Sequence, residues 1–361
     1  MLKQNWKKSL MVAVATPILI IGWINYSEQY AKQLADGQAY LNIGLYPQAQ
    51  NEFQQAVDQH PLRRFVAVIA TAFSDKTGKK AEQALDLLDL GKEAEWGLEK
   101  SKAFESKDNI VIQKTLQQFE TEHPDDADVQ VLYGKYFLTF KQFTVAEQRF
   151  KKAVELKPNT AEAHAGLCEI YDFRNDFSHA IAECKDAIDA ANGSAPDRYY
   201  INLASLHTES GDYAQALQIL DLGDNYLLVK FERGKLFQII HQAAKAEKSF
   251  ALVLQGLNDK DIYNTPVNQE NWYFKNNKAA MTLHNLADKK CYVTYSYAAA
   301  LQFNNKPTEA RRQQQETQKT CGENEETIKE QLQFDLMLTQ ENGLNPQTVA
   351  EFNRLLDEKK P

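Results

Sequence analysis

Little in this chain breaks a backbone: its 361 residues include only 15 glycines and 10 prolines. With hydrophobic residues at 43% and charged residues at 25%, that scarcity excludes a disordered polymer and fits a folded, helix-leaning protein. Positive charge is not in excess either. Lys and Arg number 41 against 49 Asp and Glu, a net charge of −8. No nucleic-acid partner is expected, because neutralising phosphates takes clustered cations.

Signatures of catalysis are missing as well. There is no GxxxxGKS or GxxxxGKT loop, no GxGxxG after a strand, no GxSxG and no HExxH. The seven histidines are scattered, none with a second His or Cys at ligand spacing, and no cysteine pair has zinc or CxxC redox spacing. The expectation is of no enzyme, metal, cofactor or small-molecule substrate.

Long apolar runs are absent with one exception. Lys3, Lys7 and Lys8 precede an uncharged stretch from Leu10 to Ile24. Its length suits a signal-peptide core and is short for a full span of about 20 residues, although Trp6, Trp23 and Tyr26 could sit at the two interfaces. Gly-Trp-Ile-Asn-Tyr-Ser follows where cleavage needs small residues, so residues 1–27 read as an uncleaved transmembrane anchor. The positive-inside rule then places the N-terminus in the cytoplasm and the remainder outside, in the periplasm of a cell with an inner membrane. Cleavage and release is the competing reading.

A repeat runs through the rest. From Gly37, the residues at offsets 3, 7, 9, 12, 16, 19 and 24 are Tyr40, Gly44, Tyr46, Ala49, Phe53, Ala56 and Pro61. From Gly134, offsets 3, 9, 12, 16, 19 and 24 hold Phe137, Phe143, Ala146, Phe150, Ala153 and Pro158. The frame recurs from Cys168, Ala204 and Gly234. Small residues at offsets 0, 12 and 19 let two antiparallel helices approach, and aromatics at 3, 9 and 16 fill the space between them. Gly44 and Gly211 suit the turns, and Pro61 and Pro158 the helix ends.

This pattern resembles the tetratricopeptide repeat. The resemblance implies an all-α, right-handed solenoid of antiparallel helix hairpins, each covering its neighbour's apolar face. The array is expected over 30–258, with degenerate hairpins at 63–90 and 93–124. Residues 259–323 read as an irregular connection, a helix from about 272 to 285 and a final hairpin. Residues 324–361 read as polar capping helices, the second capped by Asn345.

In that architecture the first helix of each hairpin lines a concave groove that receives protein or peptide partners. The frame places Gln38, Leu41 and Asn42 there in the first unit, and Val131, Lys135 and Leu138 in the next strong one. Glu169, Asp172 and Phe173 follow, then Arg198 and Asn202, then Phe231 and Lys235. The family's carboxylate-clamping members carry Lys and Asn at set groove positions; Leu34 and Gln38 stand there here, which speaks against an acidic C-terminal peptide.

Four cysteines in an exported chain suggest two disulfides with three possible pairings. The frame sets Cys168 and Cys184 across one hairpin, and Cys291 and Cys321 at the open end of another. Two buried free thiols at Cys168 and Cys184 remain the alternative. The function expected is a membrane-anchored interaction scaffold of the bacterial cell envelope. The alternatives are a soluble periplasmic chaperone or accessory subunit, and a non-catalytic subunit of an envelope enzyme or of a secretion or appendage assembly.

Overall fold

The computed structural model describes residues 28–38, 40–41, 46–58, 92–106, 109–193, 195–265, 268, 272–275, 280–283, 285–322, 324–341, 343 and 346–357. The anchor at 1–27, Asn42, the Gly44 turn, Pro61, the hairpin at 63–90 and the Asn345 cap lie outside these residues. No helix among the described residues is long and apolar enough to cross a membrane.

Contacts divide the chain into two units, residues 1–117 and 118–361. The first holds helical residues 28–38, α1 (Tyr46–Asp58), α2 (Lys92–Glu105) and the start of α3 (Asn109–Glu122). Its organising contact is Phe53, 1% exposed, which lies against two glycines. A Cβ on Gly37 would stand 2.9 Å from this ring and one on Gly97 only 2.4 Å from it. Both helices approach as closely as they do because those side chains are absent.

The second unit contains five hairpins. They are α4 (Ala127–Thr139) with α5 (Phe143–Leu156), α6 (Ala161–Phe173) with α7 (Phe177–Ala190), and α8 (Asp197–Glu209) with α9 (Tyr213–Leu222). Then come α10 (Leu227–Ile239) with α11 (Ala243–Asn258), and α13 (Leu286–Phe303) with α14 (Pro307–Thr320). A single turn, α12 (Lys260–Tyr263), and a two-stranded sheet separate the last two. Two helices close the unit, α15 (Glu325–Glu341) and α16 (Pro346–Asp357).

All five hairpins turn in the same way. One residue in each adopts positive φ: Lys141, Asn175, Gly211, His241 and Asn305. The next amide donates back to the carbonyl five residues earlier: Gln142 to Phe137, Asp176 to Tyr171, Asp212 to His207, Gln242 to Phe237 and Lys306 to Leu301, at 2.8–2.9 Å. This closure satisfies carbonyls that the first helix would otherwise leave open. Asp176 and Asp212 then cap the second helix, accepting from His179 N and Gln215 N.

Packing repeats the motif of the first unit. Phe150 is fully buried, with Gly134 and Gly166 so close that a Cβ on either would lie 2.5 or 2.4 Å from its ring. Phe250 meets Gly234 in the same fashion. Cys168 is bonded to Cys184 and Cys291 to Cys321, each pair with Cα atoms 5.2 Å apart.

The helix expected near 272–285 is replaced by β1 (Trp272–Lys275) and β2 (Ala280–Leu283), antiparallel with Trp272 opposite Leu283. Aromatic and β-branched residues favour this state, and tertiary packing settles it. Trp272 is fully buried and stacks on Phe231 at 5.5 Å between ring centroids, while Leu283 is 1% exposed.

Candidate partner-binding groove

Within the second unit, successive first helices pack on one another: α4 on α6, α6 on α8, α8 on α10 and α10 on α13. Successive second helices do not approach so closely. The layer of first helices is therefore the inner one, with one free face running along it. That face has two different stretches.

Along α4, α6 and α8 no helix among the described residues of this unit covers it as α15 covers the later stretch. Lys135 and Leu138 are half-buried on α4, and Glu169, Asp172 and Phe173 are exposed on α6. Phe173, 53% exposed, stacks on Phe143 with ring centroids 4.0 Å apart. Arg198 and Asn202 are half-buried on α8, and the Arg198 guanidinium lies 5.1 Å from the Tyr199 ring. Burial pushes the Tyr199 phenol far above its usual range, with the Glu162 carboxylate adding to the effect. The open stretch thus mixes cations, carboxylates, amide and aromatic groups, the chemistry of a protein surface more than of a small-molecule cavity.

Along α10 and α13 the face is filled by the chain itself. Helix α15 packs on both, turning Ile328, Leu332 and Leu336 inward to full burial. At its centre Asp335 accepts from Tyr292 Oη and, at 3.2 Å, from Gln331 Nε2; Lys235 Nζ stands 3.5 Å from its Oδ1 and 3.4 Å from Glu232 Oε2. Burial opposes the charge on Lys235, but Asp335 and Glu232 outweigh it and raise its pKa. Burial also raises Glu232 and holds the Tyr292 phenol far above its ordinary value.

Several residues assigned to the groove are therefore closed to a partner. Phe231 is fully buried among Phe250, Trp272 and Tyr292, because the β-hairpin covers it. Lys235 is enclosed in the ion cluster beneath α15. Val131 is 6% exposed and Leu41 is 8% exposed, both packed into hairpin cores. Gln38 is exposed in the first unit. The closing helix α15 is not the polar end cap expected, since its Ile328, Leu332 and Leu336 stripe had the four-residue spacing of a buried face.

Over 172 residues the chain is 31% identical to tetratricopeptide repeat protein 5 of Bos taurus, a match covering 38% of each chain. The residue frame, the Gly–Phe contacts and the common turn agree with it. The hairpins are similar to tetratricopeptide repeats. No protein-family model matches the chain. Solved structures with similar helical stacks include YrrB, described as a TPR protein with an unusual peptide-binding site. It has a TM-score of 0.39 and 13% identity, covering 66% of this chain and 97% of that one. Another is Cut9–Hcn1 of the APC/C, with a TM-score of 0.48 and 14% identity over 85% of this chain and 55% of that one. A third is PilF of Pseudomonas aeruginosa, with a TM-score of 0.38 and 13% identity over 81% and 93%.

Proposed function

We propose that this tetratricopeptide-repeat protein is an interaction scaffold that seats a helical segment of a partner protein on the open face of α4, α6 and α8. One observation carries the reading: the same face, from the next hairpin onward, is already occupied by an amphipathic helix, α15. Helix-in-groove recognition needs an apolar stripe flanked by polar contacts. Leu138 and Phe173 supply the apolar part, and Lys135, Glu169, Arg198 and Asn202 the polar part. The scaffold works on the exported side of a membrane, tethered by residues 10–24. The three lysines before that run and the two disulfides support this placement.

Affinity capture from detergent-solubilised membranes tests both halves. The full chain should retain partners that a variant with Leu138→Asp and Asn202→Arg loses. A chain lacking residues 1–27 should leave the membrane fraction. Unchanged capture would remove the groove from the account, and unchanged sedimentation with membranes would remove the anchor.

A further inference from the structure

Three side chains, one from α6 and two from α7, converge at the edge of the α6/α7 hairpin. His164 projects from α6, and Glu183 and Asp186 stand three residues apart on one face of α7. Their candidate ligand atoms all lie within 4.8 Å of one another. His164 Nδ1 is 2.7 Å from Glu183 Oε2, and His164 Nε2 is 2.8 Å from the Pro158 carbonyl oxygen. His164 is 9% exposed, whereas Asp186 is open to solvent, so the cluster has an entrance on the Asp186 side.

Two features organise this cluster beyond mere proximity. A carbonyl only accepts, so Nε2 keeps its hydrogen and Nδ1, the nitrogen turned toward the carboxylates, is the one able to donate an electron pair. A metal-bound imidazole makes this same backing bond, which fixes its tautomer and ring plane. The Cys168–Cys184 bond, next to Glu183 in the chain and one turn from His164, holds α6 against α7 where the ligands meet.

We propose that His164 Nδ1, Glu183 and Asp186 form a binding site for a divalent transition cation of the zinc type. One imidazole and two carboxylates suit zinc, while calcium and magnesium prefer more oxygen ligands and no imidazole. Three protein ligands leave a fourth position for water or for a side chain of a docked protein. Without metal, a proton fills the place between Nδ1 and Glu183; zinc displaces that proton to solvent, and both carboxylates bind as anions.

The oxidised full chain, stripped with EDTA and dialysed, is titrated with zinc chloride by calorimetry, with magnesium chloride as the control. One equivalent of zinc should bind saturably, and magnesium should not. Asp186→Asn, at an exposed position that leaves the fold intact, should weaken zinc binding tenfold or more, and Glu183→Gln combined with it should abolish binding. Cobalt bound in place of zinc should give visible absorption bands that the double variant lacks. Absence of saturable zinc binding by the wild-type chain, or zinc binding undiminished in Asp186→Asn, would overturn the proposal. Circular dichroism of each variant shows whether a loss belongs to the site or to the fold.

Discussion

Lys235 on α10 reaches across the groove to Asp335 on α15, Nζ to Oδ1 at 3.5 Å, with Glu232 as its second carboxylate. A half-buried cation shared by two carboxylates makes the partners unequal. Removing Lys235 leaves two anions facing one another, whereas neutralising Asp335 leaves Lys235 paired with Glu232. Lys235→Met should therefore destabilise, by less than the roughly 3–5 kcal/mol lost when a fully buried ion pair is broken, and Asp335→Asn by distinctly less again. Urea unfolding of both variants checks the ranking; equal losses would contradict the shared arrangement.

The common turn predicts a stabilising substitution. Lys141 has φ +55°, a left-handed conformation that costs an L residue roughly 1–2 kcal/mol and glycine almost nothing. Its neighbour two repeats along, Gly211, already uses glycine at φ +78°. Lys141→Gly should raise stability by about 0.5–1 kcal/mol, after allowing for glycine's greater freedom in the unfolded chain. Thermal unfolding would show a higher midpoint, and a lower one would count against the turn as described.

Gly166 behaves in the opposite sense. A Cβ there would lie 2.4 Å from the Phe150 ring, which is fully buried and has nowhere to move. Alanine's helix propensity favours Gly166→Ala by roughly 1 kcal/mol. Overpacking costs about 1–3 kcal/mol, so the net effect should be a loss. Pairing it with Phe150→Leu should recover part of that loss, measured by a double-mutant cycle in urea.

Acid sensitivity should reside in a repeated staple between hairpins. Glu247 on α11 accepts from Asn304 Nδ2 at 2.6 Å and Lys306 Nζ at 2.7 Å, both in the next turn. Glu147 on α5 reaches Arg174 Nη1 at 2.6 Å in the equivalent place. Burial alone would raise each carboxyl, but the donors outweigh it and hold both below the ordinary glutamate value. A lowered folded pKa gives stability that is complete above the unfolded pKa and is lost as pH falls through the folded one. Glu247→Gln should therefore flatten the acid limb of a stability-against-pH curve, at pH values below the usual glutamate range. An unchanged acid limb would remove this residue from the account.

Residue spacing showed the parts of the fold that depend on contacts inside one hairpin. Gly134 with Phe150 and Gly234 with Phe250 are separated by the same 16 positions, and steric fit between two adjacent helices needs nothing further. A second glycine against the Phe53 and Phe150 rings, Gly97 and Gly166 respectively, lies on a later helix outside that 16-residue frame. Turn chemistry was half visible, since only Gly211 of the five left-handed turn residues is glycine. The β-hairpin and the packing of α15 escape residue spacing for a common reason. Their place is decided by burial against α10 and α13, and no local periodicity reports that Asp335 will meet Lys235 from 100 residues away. The same limit applies to His164, Glu183 and Asp186, whose separation hides them from any search for metal-ligand spacing.

The proposed seat for a partner is the open inner face of α4, α6 and α8. Photo-crosslinking in membranes from cells producing the protein tests it most directly, with a photoreactive residue placed at Leu138 or Asn202 on that face, or at Glu155 on the outer helix α5. Both inner positions should crosslink to the same partner protein, and Glu155 should not. Crosslinking at Glu155 with none at Leu138 and Asn202 would contradict it.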